Sequence, residues 1–504
     1  MRLHDLLAAL PVQVSAAADP EITAITSDSR AVVPGTLFVA YRGVSVDGHR
    51  FIPDAITRGA AAVVGTAAPA DVPGGAPYAQ VPDARAAFGY LCAAWHGHPS
   101  RRMAVIGVTG TDGKTTTTTL LAAILRAAGF RVGVITTVSA VIGDQVYDTG
   151  LHTTTPPADE IQGYLARMAA AGTTHAVLEV TSEGLAQRRV TGVDFDVAVV
   201  TNITHDHLYA HGTYAAYREA KTSLFRGLEQ SYRKPGVPKA AVLNADDGSM
   251  DYLRTATEFL QPPAGMRLAY SARGAGAEVV ARDVAYTPGH TRFEIVSAEG
   301  RCAIETPLLG EFNVANILAA ASAARVLGVS CAGVSAGVAQ VQAIPGRMER
   351  IDAGQPFTVV VDFAHTANAL DQALRTGREL LQPGGRLIAV FGAAGLRDRA
   401  KRPHMGAAAA RHADLVVLTA EDPRTEAAED IIAAIAEGAL AGGKRDGETL
   451  WRVPDRGEAI RRAFALARPG DVVMICGKGH EQSMCYGTTE YPWDDRVAAR
   501  DALG

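Results

Sequence analysis

The sequence predicts an α/β fold divided into three domains, and three observations carry that expectation. Val/Ile-rich runs alternate with Ala-rich stretches of helical period along the whole chain, the pattern of strands interleaved with helices. At 504 residues the chain exceeds what one hydrophobic core supports, and the usual domain size gives about three. Finally, the β-branched runs end directly in Gly-rich or charged motifs, as strands do at the ligand-binding edge of an open parallel sheet. The expected segments are 1–100, 101–343 and 344–504.

Composition narrows the function. A formal net charge of −5 without a basic block argues against nucleic acid as a partner. No apolar run reaches the roughly 18 residues of a membrane span, and MRLHDLLAAL leads into polar sequence without a cleavage-like site, so a cytoplasmic protein with no membrane insertion is expected. The five cysteines (Cys92, Cys302, Cys331, Cys476, Cys485) are scattered without a Cys-x-x-Cys pair and suggest neither a disulfide framework nor a zinc site.

In the first segment strands are expected at Thr36–Tyr41 and Ala61–Gly65 and a helix at Ile52–Gly59. Its polar stretch SDSR (Ser27–Arg30), with the Gly turns after it, suits a nucleotide diphosphate or a base edge, and capping and turn chemistry explains it equally well. HGHPSRR reads as a linker.

The second segment opens on AVIGVTGTDGKTTTTTL (Ala104–Leu120): an apolar strand, a Gly-Thr-Asp-Gly turn, and a helix starting at Lys114-Thr115-Thr116. Such a turn cradles phosphate, because Gly110 and Gly113 admit an anion close to the backbone, the helix N-terminus adds its dipole, Lys114 adds charge, and a Thr hydroxyl can ligate Mg²⁺. The general P-loop pattern wants Gly where Val108 stands, so a variant spacing is implied, with a Gly-rich turn bearing a surface Lys as the bland alternative. Further on, AVLEV (Ala176–Val180) buries Glu179 in a strand, where it needs a cation or an Arg partner. The strand Phe195–Thr201 ends in Asn202–His207, and Ala240–Leu243 is another. In Tyr214–Leu228 the apolar stripe of a helix includes Lys221, a residue that in most proteins would snorkel to solvent. GEFNVANILAAASAA reads as a loop feeding a long helix.

In the third segment, strands at Thr358–Asp362, Leu387–Phe391, Leu415–Thr419 and Val472–Cys476 run into DFAHT, GAAGLRDRAKRP, AEDPRTE and GKGHEQ, which places four polar motifs along one rim of a sheet. No Gly-x-Gly-x-x-Gly opens any segment, which disfavours a dinucleotide oxidoreductase.

Taken together, TSDSRAVVPGTLFVA, DGHRFI, GVTGTDGKTT, TTTPP, HDHLYAHGT, YREAKTSLF, PGRMERIDAG, VVVDFAHT, RDRAKRP, EDPR and GKGHE resemble, in this order, the Mur ligases of peptidoglycan synthesis, in the MurE branch that adds a diamino acid. The resemblance implies an N-terminal UDP-binding α/β domain, a central P-loop ATPase domain and a C-terminal Rossmann-like domain that admits the amino acid. It implies an ATP- and Mg²⁺-dependent enzyme, expected to be a monomer, whose partners are a UDP-N-acetylmuramoyl dipeptide and a diamino acid. The implied chemistry is phosphorylation of a D-glutamate carboxylate followed by attack of an amine on the acyl phosphate.

By the same resemblance, Gly110, Thr111, Asp112, Gly113, Lys114, Thr115 and Thr116 would hold the triphosphate, with Asn313, Asn316, Arg347 and Asp362 near the nucleotide. Thr115, Glu179, His207 and Lys221 match magnesium positions. An ammonium there would repel the metal by on the order of 4 kcal/mol per charge pair at about 4 Å, so Lys221 is expected to be carbamylated, as in the family. Ser27 and Ser29 match uridine diphosphate contacts, and Thr154, Thr155, Thr181, Gln187 and Arg189 match muramoyl peptide contacts. Arg397, Glu421, Asp422, Pro423, Arg424, Gly477 and Glu481 match the amino-acid site. Thr181-Ser182-Glu183 stands where the family often has Ser-Ser-His, Tyr209 where it has Asp, and Glu421-Asp422-Pro423-Arg424 where a diaminopimelate motif reads Asp-Asn-Pro-Arg. meso-Diaminopimelate is the expected amino acid, with lysine or ornithine the alternative, and a noncatalytic Mur-like partner protein a competing reading. A folylpolyglutamate synthetase, which lacks the first domain, and a cyanophycin-type synthetase, which carries a further region, fit the chain less well.

Overall fold

The computed structural model describes the whole chain except residues 44–45, 73–75, 148–153, 205–210, 264, 275 and 288. Strands β1 (Ala24–Thr26), β2 (Thr36–Val39), β3 (Ala60–Gly65) and β4 (Tyr78–Gln80) form a parallel sheet in chain order. The strand expected over Thr36–Tyr41 ends at Val39, because Tyr41 accepts the N–H of Gly48 in a turn. The expected helix runs Ile52–Thr57.

HGHPSRR is not a free linker. His98 takes a left-handed conformation (φ 52°) and Pro99–Arg102 forms a 3-10 turn. The buried Ser100 hydroxyl accepts the N–H of Asp194 and Arg101 pairs with the Asp194 carboxylate, so the connection is docked on the middle sheet.

The middle sheet contains β5 (Ala104–Thr109), β6 (Val132–Ile135), β7 (Ala140–Ile142), β8 (Gln145–Tyr147), β9 (His175–Glu179), β10 (Val197–Val200), β11 (Ala240–Asn244), β12 (Met266–Ser271), β13 (Val279–Thr287), β14 (His290–Ser297) and β15 (Gly300–Thr306). Their order across the sheet is β15-β14-β13-β12-β11-β10-β5-β9-β6-β7-β8. From β13 to β6 neighbours are parallel, and antiparallel pairs extend both edges. β5 is buried on both faces, Ile106 and Val108 against the helices Lys114–Ala127 and Glu311–Val326, Val105 in the core with the helix Tyr214–Gln230. A strand buried on both faces reads as an unbroken apolar run, which is why this one is legible in the sequence. At its start the buried Asp196 carboxylate takes the N–H of Val105 and pairs with Lys234 and Lys239.

The third sheet contains β16 (Glu349–Ile351), β17 (Thr358–Asp362), β18 (Leu387–Phe391), β19 (Leu415–Leu418), β20 (Leu450–Arg452) and β21 (Val472–Cys476), in the order β16-β17-β21-β18-β19-β20. All but β16 are parallel, and apolar residues fill both faces. A hairpin, β22 (Ser483–Tyr486) and β23 (Thr489–Pro492), follows. Among the described residues no helix is long and apolar enough to cross a membrane.

Candidate active site

The turn expected to cradle phosphate, Gly110–Thr116, is built by close packing. Gly107 has no room for a side chain against Phe195, so it serves the strand. Gly110 (φ 155°) and Gly113 (φ 81°) serve the turn: a Cβ on the first would lie 1.8 Å from the Thr201 hydroxyl, and on the second 2.2 Å from Asn316 Oδ1. The loop is tied to the end of β10, since Asn202 accepts the N–H groups of Thr111 and Asp112. The helix Lys114–Ala127 then starts at Gly113 with no side-chain cap, leaving its first N–H groups for an anion. Lys114 donates to Thr111 O at 2.7 Å and so lies over the same loop.

Around this cradle lie the groups that would hold a divalent cation. The Thr115 hydroxyl donates to Glu179 Oε2 at 2.9 Å, and Glu179 is 2 % exposed. A hydroxyl and a carboxylate oxygen side by side at a phosphate cradle suit the oxygen preference of Mg²⁺. Glu179 thus has as partners a hydroxyl and the N–H of Thr137. Arg347, from the start of the third segment, donates to Thr115 Oγ1 at 3.2 Å and stacks over Phe363 at 4.3 Å. Asp362, at the end of β17, takes the N–H groups of Met348 and Ala364, and burial pushes its carboxyl above the usual range. Lys221 does not snorkel: it is 1 % exposed, with its Nζ 2.6 Å from Gly110 O and 4.6 Å from the Tyr217 ring. His207 and Tyr209 lie outside the described residues, and among the described residues no three His, Cys, Asp or Glu cluster as a metal site.

One cavity of about 330 Å³ joins these groups to the rim of the third sheet. Of the residues singled out in the sequence, Thr111 to Thr116, Thr154, Glu179, Thr181, Arg189, Asn313, Asn316, Arg347, Asp362, Arg397, Glu421, Asp422, Arg424 and Glu481 line it. The others stand apart from its wall. Thr155 is buried with its hydroxyl bonded to Thr181 and Glu179 O, Gly110 shapes the turn without reaching the wall, and Lys221 lies behind it, bonded to Gly110 O. Pro423 packs on Gly395, and Gly477 packs on Glu421. Gln187 holds Arg189, whose other branch donates to Thr155 O.

At the third-sheet rim, Glu421 is 6 % exposed with Oε2 unpartnered, and burial pushes its carboxyl above the usual range. Asp422 Oδ1 accepts from Lys478 Nζ at 2.9 Å and from Cys485 N at 3.0 Å, while Lys478 also pairs with Glu481 at 2.6 Å. Burial alone would lower the Lys478 ammonium, but the Glu481 and Asp422 carboxylates outweigh it and hold it above its ordinary value. Arg424 (φ 55°) forms no ion pair among the described residues, and its Nε is buried without a partner.

A second cavity of about 210 Å³ lies between the first and middle sheets, lined by Tyr41, Arg85, Phe88, Gln187, Arg188 and Arg189 among others. Ser27 bonds to Tyr41 at its edge, whereas Ser29 is buried in the 3-10 turn Ser29–Ala31 and reaches neither cavity. Sequence reasoning missed Tyr41 and Arg85, and also Phe363, His365, Lys401 and Lys478. For Lys478 a signal existed, a lysine within GKGHE directly after a buried strand.

Known proteins resemble the chain throughout. Residues 21–96 match the Mur ligase family, catalytic domain; 108–324 match the Mur ligase middle domain; 346–479 match the Mur ligase, glutamate ligase domain. A UDP-N-acetylmuramyl-tripeptide synthetase of Roseiflexus sp. (strain RS-1) is 48 % identical, over 100 % of this chain and 99 % of that one. A UDP-N-acetylmuramoyl-L-alanyl-D-glutamate–2,6-diaminopimelate ligase of Geobacillus thermodenitrificans (strain NG80-2) is 42 % identical with the same coverage. A solved structure of a ligase with that second name superposes with a TM-score of 0.67 at 34 % identity, covering 96 % of this chain and 94 % of the other.

Proposed function

The chain belongs to the Mur ligase family, and from that premise we propose that it uses ATP to join a diamino acid to a D-glutamate carboxylate of UDP-N-acetylmuramoyl-L-alanyl-D-glutamate. The observation that carries the proposal is the shared cavity: the uncapped phosphate-loop helix and the Glu421–Arg424 rim open onto one space. A phosphate donor and an amine acceptor can therefore meet on one carboxylate.

In this reading Thr111 to Thr116 hold the triphosphate, in a turn that Gly110 shapes, and Lys114 offers charge to its β/γ-phosphates, while Thr154, Thr181 and Arg189 orient the peptide. The substrate carboxylate oxygen attacks the γ-phosphorus, releasing ADP and leaving an acyl phosphate. The amine then attacks the acyl carbon, loses its proton, and expels phosphate. Thr115 and Glu179 would hold Mg²⁺, with His207 and a carbamylated Lys221 at a second position; bound there, the metal supplies positive charge to the phosphate oxygens.

For the amino acid we favour meso-diaminopimelate. Asp422 is bonded to Lys478 and the backbone of Cys485, so Arg424 need not neutralise it. The buried, unpartnered Nε of Arg424 on the cavity wall suits a second carboxylate better than the ammonium of lysine or ornithine. ADP release is the test: the proposal expects it to require both the UDP-dipeptide and a diamino acid for turnover. Release that is indifferent to the dipeptide would overturn it.

A further inference from the structure

Arg456 opens the helix Arg456–Leu466 and is 1 % exposed, far from any surface where a cation is cheap. Its guanidinium makes two kinds of contact. Nε and Nη2 grip the buried Asp495 carboxylate at 2.7 and 2.6 Å, and Asp495 is fixed in turn by the Trp493 indole N–H at 2.8 Å. Nη1 donates to Ala420 O and Nη2 to Cys476 O, each at 3.0 Å.

Those two carbonyls belong to the residues just before Glu421 and Gly477. They sit at the exits of β19 and β21, which are not neighbours, because β18 lies between them. The two strands are therefore tied to each other only through β18, and the register pairs end at Ile475 and Leu418, short of Cys476 and Ala420, so no direct ladder joins the two exits. Beyond β18 the chain continues through Gly392, where a Cβ would lie 2.3 Å from Thr419 O, so the β19 exit leans across it. At the cavity the two exits meet: a Cβ on Gly477 would lie 2.9 Å from Glu421 Oε2, the buried oxygen without a partner. The planar guanidinium spans both carbonyls and the carboxylate at once, which a single ammonium cannot do.

We propose that Arg456, held by Asp495, is a positioning residue for the amine acceptor, setting the separation of Glu421 and Gly477 on which capture of the amino acid depends. The proposal rests on the ligase reading and deepens its acceptor site. Arg456 does not line the cavity; it acts there by holding the two exits, with its charge also favouring the ionised Glu421 carboxylate.

The experiment uses the full chain and reads each substrate separately. Wild-type ADP release dependent on the UDP-dipeptide establishes the ligase reading first; its absence would sink that reading, and this proposal with it. In Arg456→Lys, KM for the diamino acid is expected to rise about tenfold, the size of one lost charge-assisted contact. KM for ATP and for the dipeptide should stay within about twofold, and the ADP burst formed without any amine should keep its wild-type rate. Asp495→Asn, which keeps the shape and loses the charge, should move the acceptor KM in the same direction by less. Equal rises in all three KM values, or a lowered Tm with the acceptor KM unchanged, would overturn the proposal. So would failure of both variants to fold, since the pair would then be structural.

Discussion

The Nζ of Lys221 lies 2.6 Å from the carbonyl oxygen of Gly110, the first residue of the Gly110–Thr116 turn. A buried ammonium there sits behind the loop that carries Lys114, in the region where magnesium is proposed. Carbamylation would replace that cation with a carboxylate, so intact-mass measurement should find one bound CO₂ equivalent on Lys221. Lys221→Ala should be nearly inactive and partly restored by a short-chain carboxylic acid. Unmodified Lys221 with full activity in CO₂-depleted buffer would refute this.

Lys114 forms its hydrogen bond within the loop, to Thr111 O, and is not part of the apolar core. Lys114→Ala should therefore leave stability within about 0.5 kcal/mol. ATP turnover should drop by at least about a hundredfold, as when a group stabilising transition-state charge is removed. Near-normal ADP release by the folded variant would refute the loop assignment.

Asp422 shares Lys478 with Glu481, so Asp422→Asn leaves that buried ammonium one carboxylate. A stability loss of about 1–3 kcal/mol is expected by chemical denaturation. In competition, wild type should show a higher kcat/KM for meso-diaminopimelate than for lysine or ornithine. The reverse order would overturn the assignment made from Arg424.

His175 is 9 % exposed against Phe130, ring centroids 4.2 Å apart, and burial pushes its pKa from 6.5 down to about 4. The folded state thus disfavours the proton that the unfolded chain accepts. Stability from this residue is whole above pH 6.5 and is lost as pH falls toward 4, by at most about 3 kcal/mol. His175→Phe should flatten the stability profile over that window, and an unchanged slope would count against it.

What the sequence made legible was what local pattern encodes. β5, β17, β18 and β21 are continuous apolar runs, so their polar sequels, from the Gly110–Thr116 loop to GKGHE, could be placed at strand ends before any contact was known. Contacts between distant segments were not legible. Nothing near Asp422 announces Lys478, 56 residues away, and nothing near Glu421 announces Arg456. The docking of HGHPSRR was hidden for the same reason, because its partner Asp194 is 94 residues from Ser100. Lys221 was placed on a buried stripe by period alone, yet its bond to Gly110, 111 residues distant, required the fold.

If the substrate carboxylate attacks the γ-phosphorus of ATP, one of its oxygens must leave with the phosphate, and isotope transfer reads that out. UDP-dipeptide labelled with ¹⁸O in its D-glutamate carboxylates, incubated with enzyme, ATP and meso-diaminopimelate, should yield phosphate carrying one ¹⁸O for each peptide bond formed. Amide product accompanied by unlabelled phosphate would contradict the acyl-phosphate route.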